Sequence, residues 1–148
     1  MRLEFSVPGI PVPQARSRFS TLGGVVHSYD TKKCRMYKDL VKVYALEAKK
    51  QSKNEDWVDV MVGVPLSMAL QLLMPIPARW NKADKASALR GDIAPLSRPD
   101  IDNLVKTYLD ALTGVFYKDD SQVVSVHAIK RYGSDPSATI ILNTDIFI

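Results

Sequence analysis

Two aspartates two residues apart, followed by a lysine one helical turn later, can hold a cation against a phosphate group. That arrangement stands at Asp100-Ile101-Asp102-Asn103-Leu104-Val105-Lys106. Asp100 follows Pro99 at a predicted helix start, where unpaired backbone N–H groups tolerate negative charge. At the N-cap, Asp100 is off the helical screw, so its carboxylate can turn toward the side of Asp102. Asp102, Lys106 and Asp110 recur at i, i+4 and i+8 on one face. A second acidic pair, Asp119-Asp120, follows the helix after a short turn and precedes a predicted strand. If that strand folds back beside the helix start, Asp119 or Asp120 approaches Asp100 and Asp102. Three converging carboxylates with open positions suit Mg²⁺ or Mn²⁺, hard cations that take oxygen ligands and keep waters. Such a site cleaves phosphodiesters, because the metal polarises phosphoryl oxygens and acidifies a bound water. Lys106 would pair with the scissile phosphate or neutralise charge in the transition state.

Each piece also has an ordinary reading. Asp100 alone is a helix cap, and Asp119-Asp120 alone is turn chemistry. Asp102, Lys106 and Asp110 alone form a surface ion-pair ladder worth about 0.2–0.5 kcal/mol per pair.

The elements that must position these residues follow from local patterns. Leu3–Val7 alternates apolar and polar residues like a half-buried strand, ended by Pro8, Gly9, Pro11 and Pro13. Gln14–Asp30 reads as a basic loop with a short hairpin at Gly23-Gly24. Asp30 or Thr31 caps a helix running to about Gln51, with Tyr37, Val41, Tyr44 and Ala48 on its apolar face. Lys33, Arg35, Lys38, Lys42 and Lys49 fall largely off that face and read as a solvated or DNA-facing surface. Pro65–Met74 is an apolar strand. Arg79–Arg98 is a polar excursion, with a short helix over about Asn81–Leu89 closed by Gly91.

The clearest element is the helix from Asp100 to Gly114, with its stripe of Ile101, Leu104, Val105, Tyr108, Leu109 and Leu112. Val123–Arg131 and Ala138–Leu142 are the last strands, expected to pair as a hairpin across Gly133–Pro136. This order predicts an α/β (α+β) domain over residues 1–148, with a single mixed β-sheet and helices packed on one face.

The run Asp100-Ile-Asp102-Asn103-Leu-Val-Lys106, then Asp110-Ala-Leu112, then Asp119-Asp120-Ser-Gln-Val123, resembles the signature of the RusA family of Holliday junction resolvases. Pro11-Val-Pro-Gln-Ala-Arg16-Ser-Arg18 resembles the entry segment of many members. The resemblance implies a crossover junction endodeoxyribonuclease, acting in DNA recombination and repair by paired nicks in branched DNA. It implies Asp100, Asp102 and Asp120 as metal-binding carboxylates for Mg²⁺ or Mn²⁺, and Lys106 as the catalytic lysine. Asn103, Asp110 and Asp119 match the motif in supporting positions, with Asp110 expected to pair with Lys106. It also implies a homodimer, and a bacterial, phage or prophage source.

Composition fits this without requiring it. At 148 residues, the chain suits one domain. Its 46% hydrophobic and 24% charged content describes an ordinary globular core and surface, which argues against disorder. The net charge of +4 weakly favours a polyanionic partner. Arg16, Arg18, Lys82, Lys85 and Arg98 are the candidate phosphate contacts. Trp80 is either a stacking platform for an unpaired base or a core anchor. The single cysteine, Cys34, excludes an internal disulfide and a cysteine-based zinc site. His27 and His127 need no role. No basic head precedes a long apolar run, and a cytoplasmic protein without a membrane segment is expected. The rivals are a broader structure-specific nuclease acting on flaps or forks, and a non-catalytic protein that binds branched DNA.

Overall fold

The computed structural model describes residues 1–15, 18–52, 57 and 59–146; of residues 18–20, 22 and 26–29 it describes the backbone only. In chain order the elements are β1 (Arg2–Pro8), β2 (Arg18–Leu22), β3 (Val25–Tyr29), α1 (Lys32–Gln51) and β4 (Leu66–Pro75). They continue with α2 (Lys82–Arg90), α3 (Ile101–Leu112), β5 (Val123–Gly133) and β6 (Ser137–Asn143). None of the described helices is long and apolar enough to cross a membrane.

Local chemistry explains most element ends. The hydroxyl of Thr31 accepts from the Cys34 N–H at the start of α1, and Asn81 Oδ1 accepts from the Asp84 N–H at the start of α2. Gly91 ends α2 at φ 85°. Gly23 and Gly24, at φ 60° and 80°, make the two-residue turn that joins β2 to β3. Positive φ at both central residues matches the twist of an antiparallel pair, which is why a glycine pair sits there.

The main sheet has four strands in the order β1-β6-β4-β5, with β4 and β5 parallel and the other neighbours antiparallel. The inward residues of three strands fall in register: Phe5 beside Ile140, and Ile140 beside Leu70. Their shared face meets Val41 of α1 and Leu104, Tyr108 and Leu112 of α3 in one buried core. The helices therefore pack on one face of a mixed sheet, as expected.

The expected hairpin of the last two strands does not form. β4 lies between β5 and β6 and pairs with both. The reason is apolar content. Leu66, Met68, Leu70, Leu72 and Met74 are all buried, and each such side chain is stabilised by about 1.5–3 kcal/mol when removed from water. A central position buries that whole row. β5, with Ser125, His127 and Arg131 among its valines, tolerates an edge.

Two further expectations change. Lys38 is buried rather than solvated, and Tyr44 on the expected apolar face of α1 is 36% exposed. Trp80 packs edge-on against Tyr132, with ring centroids 5.3 Å apart, as a core anchor.

Candidate active site

The proline-rich entry segment lies along the first half of α3. Prolines 11 and 13 have no N–H to offer, so the residues between and after them carry the polar contacts. Val12 accepts from the Thr107 hydroxyl at 2.8 Å, and the Gln14 N–H donates to the Asn103 carbonyl at 2.8 Å. Between this segment, the start of α1 and the start of α3 opens a cleft of about 830 Å³. Asp100, Asn103 and Lys106 line it from α3, Lys33 from α1, Gln14 from the entry segment, and Arg98 from the loop before α3.

Asp100 occupies the N-cap of α3, yet its side chain makes no capping hydrogen bond. Its carboxylate is therefore available to a ligand. Asp102, in the first helical turn, is exposed but does not line the cleft. Lys106 is exposed and has no ion pair among the described residues. Asp110 does not pair with Lys106: its Oδ2 lies 2.6 Å from the ammonium of Lys38, whose second partner is Asp30 Oδ2 at 2.8 Å. Burial alone would lower the Lys38 pKa, but the hydrogen bonds to Asp110 and Asp30 outweigh it and hold the ammonium above its ordinary value. The bond from Lys38 in turn holds the Asp30 carboxyl below the usual range.

Asp119 and Asp120 do not fold back to the start of α3. Asp119 caps the 3-10 turn over Asp120–Gln122, accepting from the Ser121 N–H at 2.8 Å, which lowers its pKa. Tyr117, whose hydroxyl donates to the Leu109 carbonyl, has its pKa raised first by burial and then by the charges of Asp120 and Asp110. Asp120 thus lies near the C-terminal half of α3. The opposite end of β5 meets the helix start, where the Lys130 ammonium donates to the Ser97 and Pro99 carbonyls. The two acidic groups therefore lie toward opposite ends of α3.

Among the described residues, no three His, Cys, Asp or Glu side chains gather as a metal site. The expected convergence of three carboxylates does not occur within one chain, because β5 runs back along α3 instead of starting beside its N-terminus. The Asp100–Asp102 pair still fits a hard divalent cation in kind. Mg²⁺ is commonly held by one or two carboxylates, with substrate phosphate and water completing its shell.

Of the other expected phosphate contacts, Arg98 lines the cleft; Lys82 is exposed and Lys85 half-buried on α2, away from it. Arg16 lies outside the described residues, and Arg18 begins β2 with its side chain outside them. Lys33 is the addition. Its helical periodicity placed it on a polar surface, and only the docking of α1 beside the entry segment turns that surface into a cleft wall.

The family model described as Endodeoxyribonuclease RusA matches residues 8–143. A Bacillus subtilis (strain 168) protein, YqaN, described as uncharacterized, is 34% identical over 142 residues, covering 95% of this chain and 94% of the relative. With nearly its whole length matched, and the acidic helix start and entry segment both inside that match, the chain belongs to the RusA endodeoxyribonuclease family, the family of Holliday junction resolvases.

Proposed function

We propose that this protein resolves Holliday junctions by paired, divalent-metal-dependent nicks in recombination and repair, as a homodimer. The observation that carries the reading is the cleft that Asp100 lines together with Lys33, Arg98 and Lys106. A pure phosphate-binding surface gains nothing from a carboxylate there, whereas a hydrolytic site needs both signs.

Lys33 and Arg98 bind and orient the backbone of the DNA. Lys106 offsets the charge that builds on the phosphoryl oxygens as the bond breaks. The Asn103 carbonyl, held by the Gln14 N–H, fixes the first turn of α3 against the entry segment, so that Asp100 and Asp102 keep their places. Mg²⁺ (or Mn²⁺) bound to these two aspartates would supply a polarised phosphoryl oxygen and an acidified water. The homodimer offers Asp120 of the second copy as a third protein carboxylate for that pair. Two such sites related by a two-fold axis suit a junction of near two-fold symmetry.

The test is cleavage of a labelled four-way junction beside linear duplex, flap and fork, with Mg²⁺ and with EDTA. Paired, metal-dependent nicks confined to the junction are expected. Cutting of every branched form would make the protein a broader structure-specific nuclease. Tight junction binding without cleavage under any divalent metal would make it a binding protein.

A further inference from the structure

β5 forms one edge of the main sheet, and no described strand pairs with its outer side. An edge of 11 residues is long for one left open, and Val124 and Val126 on it are 60% and 41% exposed. The register shows which way one of them points. Val126 lies beside Met68 and Ala128 beside Leu70, both buried under the helices. The apolar face of β5 therefore continues the core face past the last strand, and among the described residues Val126 on it stays 41% exposed.

The charges along this stretch are ordered. Asp119 and Asp120 stand just before the strand, and Lys130 and Arg131 stand near its end. A parallel partner would set acid against acid. An antiparallel second copy sets each acidic head against the other's basic tail and meets valine with valine. Register is constrained as well. Side chains alternate between faces, so a pairing that matches the core faces must let one residue oppose itself across the two-fold axis. Placing Val126 on the axis centres the apolar stretch and brings the opposite charges together.

We infer that β5 is the surface through which two copies of this chain associate, antiparallel about Val126, to make one continuous sheet of eight strands. The inference rests on the homodimer reading and adds to it a surface and a register. The pairing carries the partner's acidic turn toward Lys130, whose ammonium holds the carbonyl of Pro99, the residue before Asp100. The exposed stripe of Met36, Leu40 and Val43 on α1 is the competing surface. It carries no comparable self-complementary order of charge.

Three measurements on the full chain test this. Sedimentation at micromolar concentration should show a dimer; a monomer would overturn both the surface and the homodimer. Val126→Lys opposes two ammonium groups and should weaken dimerisation at least about tenfold, while Val43→Lys on α1 should leave it unchanged. The reverse pattern would move the interface to α1. Circular dichroism checks that both variants fold. Finally, Val126→Cys should form an intermolecular disulfide under mild oxidation, because directly opposed residues lie about 4.5–5.5 Å apart between Cα atoms. The native Cys34 is buried and does not compete. Ser125→Cys alone should not cross-link, but mixed with His127→Cys it should. A dimer by sedimentation that lacks these cross-links would overturn the surface and leave the homodimer standing.

Discussion

The Lys38 ammonium lies 2.6 Å from Asp110 Oδ2, joining α1 to α3 from inside the protein. The lysine side chain is 7% exposed, whereas Asp110 is 64% and the second partner, Asp30, 25% exposed. Removing the lysine leaves two carboxylates that water can reach; removing the carboxylates leaves a buried, unpaired ammonium. The double variant Asp30→Ala/Asp110→Ala is therefore expected to lose about 3–5 kcal/mol, and Lys38→Met less than about 2 kcal/mol. Urea denaturation of the two variants checks the order. Equal losses would mean that water reaches the ammonium.

The same network sets a pH dependence. The Lys38 pKa is raised on folding, so its contribution is full below the ordinary lysine value of 10.5 and is lost as pH rises through the folded value. The Asp30 pKa is lowered, so its contribution is present above 3.8 and is lost as pH falls through the folded value. Melting temperature should fall on both flanks in the native protein. In Lys38→Met the alkaline fall should shrink, and the acid fall with it, because the hydrogen bond from Lys38 is the main cause of the Asp30 shift.

Asp102→Asn should reduce junction cleavage at least about 100-fold while leaving junction binding largely intact. Lys106→Ala should slow cleavage to a similar degree without unfolding the protein, since the side chain is exposed. Wild-type turnover in either variant, measured on a labelled four-way junction, would remove that residue from the site.

Lys33→Ala should weaken junction binding evenly across sequences. The slope of log affinity against log salt should become shallower by about 0.9, the share of one phosphate contact. An unchanged slope would return Lys33 to the solvated surface that its helical position first indicated.

The hydroxyls of Tyr37 and Tyr108 meet at 2.6 Å inside the core. Either single change to Phe strands the other hydroxyl and should cost about 1–3 kcal/mol, whereas the double change should cost less than the two singles added. A double-mutant cycle in urea measures this coupling, and strict additivity would mean that the two groups do not depend on each other.

The turn at Gly23-Gly24, a cap at Asp30 or Thr31, the Gly91 stop and the stripe of α3 were all legible along the chain. Each depends on neighbours within a few residues, where backbone geometry and helical period act directly. The acidic start of α3 was legible in the same way, as a motif with a family resemblance. Long-range order was not. That β4 enters between β5 and β6 depends on which strand gains most from a central place, a comparison among distant segments. Lys38 looked like any surface lysine until α3 supplied Asp110 and the end of the hairpin supplied Asp30 to offset its burial. Lys33 became a cleft residue only when the entry segment docked on α3. The distance from Asp120 to Asp100 was decided by the direction of β5 along α3, because sequence spacing says how far a chain can reach but not which end of a helix it returns to.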